Sequence, residues 1–409
     1  MSFGDTLIEE DGFGFVPRSR NAAFGKSCEI VRRYTMINKH QAIVRLISWG
    51  ASIQSIKIPN RDGKLADVVL GFDDLDGYLK NRYMGSIIGR VAGRISGGLD
   101  NADVTYFLQP IAKLLKLLLV LFVVFFDEVM SHLSRANSEG YSGDVLTQVN
   151  YTWTDDNQLH INIRATTTMP TPINVTNYCL FNLAGHGTGS KELEQHVLTV
   201  NADSWTLMDL RNNLPTGVIS PVDCTAFELR VPAQLNRRRL YNIPGGGYDH
   251  NLCINSPNSW CYRFHARILH PPSGRFLEVY SNHPGLQVYT GNQLPHPERV
   301  YPPDLKNCDW EGGENAKINS SKLVNTKWDF EITNNIIPKK KAKEIQNART
   351  KEIYGKGGIP YRCYGGFALS PQNYPGTVNI EHFPSCILYP GKIYVHDMSY
   401  KFGVKLSNN

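Results

Sequence analysis

The 409-residue sequence predicts an all-β protein built as a large β-sandwich. Residues Leu159–Arg164 alternate apolar and polar side chains, as a strand with one buried face does. Glycine- and proline-rich turns such as Pro244–Gly247 and Pro271–Gly274 separate many short segments of this kind. Only Lys339–Glu352 invites a helix prediction. Many short strands joined by such turns are typical of sandwiches and barrels.

The predicted strands follow one another along most of the chain. Many of their apolar positions are β-branched or aromatic residues, which suit a pleated and half-buried surface. The clearest examples are Ile43–Ile47, Ile53–Ile58, Leu159–Arg164, Phe276–Tyr280 and Leu286–Tyr289.

Composition indicates a globular protein and gives little support to several function classes. Hydrophobic residues make up 41% and charged residues 20% of the chain, and the net charge of +6 is small for this length. We therefore expect no nucleic-acid partner, and we interpret the basic run Lys339–Lys343 as a solvated loop. The eight cysteines form no CxxC pair, so no zinc site is predicted. With no signal peptide visible, a cytoplasmic protein is the default expectation.

Two segments depart from the strand pattern. Residues 109–129 contain the apolar run Leu114–Phe126, which is shorter than the ~18 to 20 residues that span a membrane, so no membrane partner is expected. Residues 295–353 are polar and resemble an insertion. We predict one domain over residues 1–409 that carries both anomalies.

Eight further stretches resemble motifs of the aldose 1-epimerase (galactose mutarotase) family, in family order. They are 67–73 (DVVLGFD), 89–95 (GRVAGRI), 139–144 (EGYSGD), 172–186 (PINVTN followed by FNLAGH), 214–217 (LPTG), 247–251 (GYDHN), 284–292 (PGLQVYTGN) and 372–375 (QNYP). The resemblance implies a galactose mutarotase-type sandwich whose concave sheet binds a monosaccharide. It also implies interconversion of the α and β anomers of free hexoses, with no metal and no organic cofactor.

The resemblance places the family's catalytic base at Ser370 and its catalytic acid at Tyr178, where the family has glutamate and histidine. A serine hydroxyl is not deprotonated near neutral pH and cannot act as that base unaided. A phenol, with an ordinary pKa near 10, is a poor match for reversible proton transfer at pH 7. Both catalytic positions are therefore substituted.

The substrate-binding positions are retained. Arg94, Asp249 and Gln287 match the family residues that contact sugar hydroxyls. The structural alternatives are an ion pair for Arg94, a turn cap for Asp249 and a core amide for Gln287.

Other titratable residues lie in or beside the motifs. They could replace the missing base or acid, although a structural role is favoured for each: His186, His250, His283, Glu381 and His382.

A second family histidine, in a Leu-His-Gly-Gly loop, would fall between about residues 105 and 125, where the apolar run stands instead. One interpretation is a diverged but genuine buried element. The other, which we favour, is that residues 109–127 arise from a misread intron or reading frame. Three possibilities for the function follow. The protein is an active aldose 1-epimerase, a sugar-binding pseudoenzyme, or a non-functional polypeptide that residues 109–127 prevent from folding.

Mass spectrometry of the native protein distinguishes these origins of the apolar segment. If residues 109–127 are not translated, digests will contain peptides from both flanks and none that includes Leu117–Phe126. Recovery of the tryptic fragment that begins at Leu117 would refute the misread-gene interpretation. Chymotryptic digestion in parallel guards against loss of that apolar fragment.

Overall fold

The computed structural model describes residues 6–17, 28–81, 83–93, 95, 109–110, 127–209, 214–256, 260–295 and 352–406. Arg94 and the whole apolar run Leu114–Phe126 lie outside these residues, as does most of the polar segment 295–353. The helix prediction for Lys339–Glu352 also falls there, apart from its last residue.

Strands dominate the described residues from Leu7 to Val404, which confirms the all-β prediction. The first half contains β1 (Leu7–Pro17), β2 (Cys28–Ile37), β3 (Ile43–Ile47), β4 (Ser52–Pro59), β5 (Leu65–Asp67), β6 (Ile87–Gly89), β7 (Gln109–Pro110), β8 (Asp127–Ser134), β9 (Val145–Trp153), β10 (Gln158–Thr167), β11 (Thr171–Pro172), β12 (Thr176–Asn177) and β13 (Val197–Val200). The second half contains β14 (Ala202–Asp209), β15 (Leu214–Pro221), β16 (Ala233–Gln234), β17 (Asp249–Ile254), β18 (Arg263–Leu269), β19 (Arg275–Ser281), β20 (Gly285–Tyr289), β21 (Ile353–Tyr354), β22 (Pro360–Tyr361), β23 (Ala368–Gln372), β24 (Ile387–Leu388) and β25 (Tyr394–Val404).

Within the part of the chain that the structure describes, three short α-helices that the sequence patterns did not predict interrupt the strands. They are α1 (Leu75–Lys80), α2 (Ser190–Leu193) and α3 (Arg237–Asn242). Asp74 caps α1 by accepting from the N–H of Gly77, and Asn236 caps α3 by accepting from that of Arg239. Helices of four to six residues are too short to show a periodic apolar face, so no sequence signal beyond these caps was available.

An eight-stranded antiparallel sheet forms one layer of the sandwich. Its strand order is β16-β13-β18-β19-β25-β10-β9-β8. The residues of β9 and β10 alternate between buried and more exposed along their length, because one face packs on the core and the other meets solvent. The alternation of Leu159–Arg164 thus has the structural meaning predicted from the sequence.

Two five-stranded sheets pack against the same core as the eight-stranded sheet. One has the order β1-β2-β3-β4-β5, and the other has the order β15-β14-β17-β20-β23. A contiguous cluster of buried apolar side chains joins all three large sheets, including Ile56, Ile161, Leu252 and Tyr400. The sheet that contains β17, β20 and β23 carries the candidate site.

The sheets continue on both sides of the apolar segment. The short strand β7 pairs with β6, and β8 pairs with β9 over its whole length from Asp127 to Ser134. Residues 111–126 between them lie outside the described part of the chain.

A buried ion pair fixes the chain where it re-enters the fold after the polar insertion. Lys356 Nζ lies 2.6 Å from Asp67 Oδ2 and donates to the carbonyl of Gln54 at 2.9 Å. Asp67 also accepts from the hydroxyl of Ser55 and from the backbone N–H of Val69. Burial lowers the pKa of Lys356, while Asp67 acts in the opposite direction. Both charges are therefore compensated only as long as they remain together.

Breaking this pair will destabilise the protein. Replacing Lys356 with Met leaves the Asp67 carboxylate buried without its cation, so we expect the free energy of unfolding to fall by about 3 to 5 kcal/mol. Urea denaturation measures the change.

Two further variants serve as controls. Lys80→Met removes an exposed i,i+4 pair with Asp76 and should leave stability essentially unchanged. The double variant Lys356→Met with Asp67→Asn should recover part of the loss. Equal effects of the Lys356 and Lys80 substitutions would contradict the assignment of a buried structural pair.

Candidate functional site

The two faces of the β17-β20-β23 ribbon differ in chemistry. In this antiparallel ribbon, Asp249 lies opposite Tyr289, which lies opposite Ala368, and in the next row Gln287 lies opposite Ser370. Residues directly opposite each other share a face, as do residues two apart on one strand. One face therefore carries Asp249, Asn251, Cys253, Gly285, Gln287, Tyr289, Ala368, Ser370 and Gln372. We call it the polar face.

The opposite face of the same ribbon belongs to the core. It carries His250, Leu252, Ile254, Leu286, Val288, Leu369 and Pro371, all of them buried. Both faces are largely buried, and on the polar face only Asp249 and Gln287 are partly exposed. Three of the predicted site residues, Asp249, Gln287 and Ser370, fall on the polar face.

Asp249 and Gln287 are hydrogen-bonded to each other. The Gln287 Nε2 atom donates to Asp249 Oδ1 at 2.8 Å across neighbouring strands. Both side chains are partly exposed, and the glutamine keeps its carbonyl oxygen as an acceptor. Both side chains are thus within reach of a ligand on the polar face.

The turn that leads to Asp249 is fixed by the chain that follows β20. Gly247 adopts φ +121°, and a Cβ there would lie 2.6 Å from Asn292 Oδ1, so only glycine fits. Thr290 Oγ1 accepts from the N–H of Tyr248, and Asn292 Nδ2 donates to the Tyr248 carbonyl at 3.1 Å. These bonds bring the 247–251 and 284–292 motifs together, so Asp249 is presented in a defined place.

Tyr178 reaches the polar face from the segment that follows β12. Its backbone is held by two bonds of 2.8 Å, one to the carbonyl of Ser86 and one from the N–H of Gly85. Its ring lies 5.9 Å from that of Tyr289 between centroids. Burial, with contributions from Tyr289 and Asp249, raises the pKa of the Tyr178 phenol well above its usual value. Tyr178 therefore keeps its proton at neutral pH.

The side chain of Ser370 lies on the polar face, and its hydroxyl forms no hydrogen bond with the described residues. The residue is 3% exposed. No neighbouring histidine or carboxylate is hydrogen-bonded to it, so nothing in the described surroundings activates the hydroxyl as a nucleophile or base. An unpartnered buried hydroxyl is costly, and a ligand that hydrogen-bonds to it recovers that cost.

The histidines and the glutamate considered as substitutes lie elsewhere. His250 is on the core face, against Trp205 and Phe227, and burial lowers its pKa to about 4. His283 is buried against His396, with 3.7 Å between ring centroids. His186 is bonded to Tyr361 and lines a separate surface cavity of about 220 Å³.

The remaining two candidates, Glu381 and His382, are exposed, and His382 Nε2 lies 2.8 Å from the Gly217 carbonyl. Within the described residues, no candidate substitute shares the polar face with Ser370. These groups are therefore structural or solvent-facing in this fold, as favoured from the sequence.

Arg94 lies outside the described residues, so its predicted contact with sugar hydroxyls stays a prediction. The nearby Arg90, from the same motif, has a structural role. The Arg90 residue is only 8% exposed. Its guanidinium donates to the backbone carbonyls of Ser134, Arg135, Ser142 and Gly143.

Comparisons with known proteins agree with this architecture. The family model described as aldose 1-epimerase matches residues 32–113 and 127–401. Galactose mutarotase of Rattus norvegicus is 34% identical over 381 residues, which cover 90% of this chain and 93% of the relative. Galactose mutarotase of Homo sapiens is 34% identical over 373 residues, covering 88% and 91% respectively.

The chain belongs to the aldose 1-epimerase family.

Solved structures of the family share the fold. The GalM/aldose epimerase homologue from C. elegans superposes with a TM-score of 0.65 at 22% identity, over 90% of this chain and 97% of that one. Galactose 1-epimerase from Lactobacillus acidophilus superposes with a TM-score of 0.63 at 18% identity, over 98% and 99%. At these identities the likeness establishes the fold, which confirms the predicted galactose mutarotase-type sandwich.

The family match breaks between residues 113 and 127, and the gap coincides with the apolar run Leu114–Phe126. The unusual composition and the interruption of the family pattern share the same bounds. This agreement supports the interpretation that the run is foreign to the family fold.

The described residues contain no cluster of three or more His, Cys, Asp or Glu side chains that could hold a metal ion. None of the helices among them is long and apolar enough to cross a membrane.

The low pKa of His250 makes the site's supporting sheet sensitive to acid. Folding holds this pKa near 4, against an ordinary value of about 6.5, so the unfolded chain binds the proton more tightly. Stability is then complete above pH 6.5 and falls as the pH drops towards 4. In the variant His250→Asn, which can still accept from the Asp249 N–H but cannot titrate, the loss of unfolding free energy between pH 7 and pH 5 should be smaller by about 2 kcal/mol.

Urea denaturation at the two pH values gives both free energies. The variant Glu381→Gln, at an exposed position, controls for general effects of charge on acid stability. An identical pH dependence in the wild type and in His250→Asn would show that His250 is not a neutral buried residue.

Proposed function

We propose that the protein binds free hexoses such as galactose and glucose on the polar face and interconverts their α and β anomers. Membership of the aldose 1-epimerase family supports this activity, as do the relatives named galactose mutarotase, which match about nine-tenths of the chain. The proposed ligand is a monosaccharide, and the proposed chemistry draws on no metal or organic cofactor.

The observation that carries the proposal is the hydrogen-bonded pair of Asp249 and Gln287 on the polar face. A carboxylate accepts hydrogen bonds from sugar hydroxyls, and an amide can accept and donate at the same time. Their bond of 2.8 Å holds both groups in place before a sugar arrives, which reduces the entropy lost on binding. In this proposal Arg94 adds a fixed fork of donors at the rim.

Interconversion of anomers requires two proton transfers. A base removes the proton of the anomeric hydroxyl while an acid protonates the ring oxygen. The ring opens, C1 rotates about its bond to C2, and the ring closes with the two roles reversed. Each properly placed group accelerates the reaction by about 10²- to 10⁴-fold.

Ser370 and Tyr178 occupy the base and acid positions in this proposal. The Ser370 hydroxyl can donate or accept a hydrogen bond but does not take up a proton at neutral pH. The pKa of Tyr178 is raised, so its phenol orients and polarises an oxygen atom and transfers its proton poorly. We therefore expect slower anomer interconversion than a glutamate and histidine pair would give on the same scaffold.

A second candidate function is hexose binding without chemistry. It is favoured by one specific observation, namely that neither the Ser370 hydroxyl nor the Tyr178 phenol changes charge near pH 7. In this case the chain senses, stores or carries a sugar and leaves its anomers to interconvert spontaneously.

We further propose that the whole chain forms a single domain and works in the cytoplasm. A single hydrophobic cluster shared by the three large sheets supports one folding unit. Six cysteines of the described residues are free thiols, among them the exposed Cys224, which suits a reducing compartment.

The decisive experiment combines a rate and an affinity on the same sample. Polarimetry or exchange NMR follows α-to-β interconversion of galactose and glucose, and calorimetry measures binding of the same sugars. Asp249→Ala removes the acceptor and should abolish or strongly weaken binding. The double variant Ser370→Glu with Tyr178→His restores a titratable pair and should raise the rate at least 100-fold.

The outcomes separate the two functions. Catalysis above the spontaneous rate that disappears with Asp249→Ala supports the epimerase. Binding that is lost with Asp249→Ala, without any rate enhancement in the wild type, supports the binding protein. Wild-type affinity in Asp249→Ala would remove this residue from the site, and a folded wild type with neither signal would refute both functions.

A further inference from the structure

Asp249 is held by a second glutamine that belongs to none of the motifs quoted above. Gln293 Nε2 donates to Asp249 Oδ2 at 3.2 Å, while Gln287 Nε2 donates to the other oxygen, Oδ1, at 2.8 Å. Gln287 approaches from the neighbouring strand, and Gln293 approaches from the turn after β20. Each carboxylate oxygen therefore has its own amide donor, which fixes the plane of the carboxylate.

The same residue also holds a phenol of the polar face. The backbone N–H of Gln293 donates to Tyr289 Oη at 3.0 Å. Tyr289 packs against Tyr178, so this bond also constrains the aromatic pair. Gln293 thus contacts both Asp249 and Tyr289, one through its side chain and the other through its backbone.

The turn that carries Gln293 is itself well anchored. The N–H of Leu294 donates to the Gly291 carbonyl at 3.1 Å, and Thr290 Oγ1 donates to Asn292 Oδ1 at 2.7 Å. Leu294 is buried, whereas the Gln293 side chain is exposed at the rim of the polar face. The Gln293 amide is therefore held in place by its turn and can orient the Asp249 carboxylate, although Gln293 is not part of the core.

The charge state of Asp249 is the property that this arrangement controls. Hydrogen bonds donated to a carboxylate favour its ionised form. Among the described residues, the phenols of Tyr178 and Tyr289 interact with Asp249, and burial raises the pKa of both, so they stay neutral. The amide donors therefore face no competing charge from these phenols.

We propose that Gln293 is a positioning residue of the sugar site, which orients the Asp249 carboxylate and keeps it ionised for a ligand hydroxyl. The proposal rests on the proposed function for its ligand, because the group that Asp249 receives is taken to be a hexose hydroxyl. Gln293 acts through Asp249 and need not touch the sugar itself.

The test compares two substitutions that each remove one surface amide donor. Gln293→Met keeps a side chain of similar length without the donor. Gln234→Met is the matched control. The exposed Gln234 lies on β16, outside the polar face, and its Nε2 atom donates to the Glu194 carbonyl at 3.0 Å. NMR of ¹³C-labelled aspartate carboxyls, with the Asp249 signal identified from Asp249→Asn, follows its titration in sugar-free protein.

We expect the carboxyl of Asp249 to titrate at higher pH in Gln293→Met and at the wild-type pH in Gln234→Met. Galactose affinity at pH 7 should fall about 3- to 10-fold in Gln293→Met alone, the size of the net contribution of one typical intramolecular hydrogen bond. The acid limit of binding should move upward with the titration. Gln293→Lys, which supplies a cationic N–H donor, should move the titration back down.

Unchanged titration of Asp249 in Gln293→Met would overturn the proposal, and so would equal effects of Gln293→Met and Gln234→Met. Failure of the proposed function is a different result. If the Asp249 titration shifts as expected but wild-type protein binds no hexose, the positioning role stands and the sugar assignment fails.

Discussion

The backbone pairing of Phe181 with Phe367 is the constraint on which the rest of the site depends. Each residue donates its N–H to the carbonyl of the other, at 2.7 and 2.8 Å. The Phe181 ring packs on Tyr400 and Phe402 of β25, so the pair is also tied to the eight-stranded sheet. Tyr178 lies three residues before one partner, and Ser370 lies three residues after the other. Two chain segments almost 200 positions apart are thereby held at one place.

In the proposed function, the polar face separates recognition from reactivity. The proposed recognition groups, Asp249 and Gln287, are a charged acceptor and an amide that hold each other in position. The hydroxyls at Ser370 and Tyr178 can form hydrogen bonds, but they do not exchange protons at neutral pH. As a sugar site of the proposed kind, it would distinguish ligands by the pattern of their hydroxyl groups. In that proposal, serine and tyrosine at the base and acid positions reduce the capacity for proton transfer.

Local patterns in the sequence predicted the strands well, since alternation and turn residues act over a few positions. Leu159–Arg164 and Phe276–Tyr280 are strands as expected, and the family motifs identified the sandwich. The short helices were missed because four to six residues show no periodicity. The orientation of His250 could have been inferred from the sequence, because adjacent residues of a strand point to opposite faces of the sheet and His250 directly follows Asp249. Gln293 could not, because its contact with Asp249 depends on the turn that brings two distant segments together.

The position of β8 has a consequence for handling the protein in solution. This strand is the last of the eight-stranded sheet, and within the described part of the chain no strand pairs with its outer edge. Val129 on β8 is 56% exposed. An open edge of this kind is a template for pairing between molecules. The apolar run Leu114–Phe126 directly precedes this edge strand in sequence. Its presence in the polypeptide would therefore increase the tendency to aggregate.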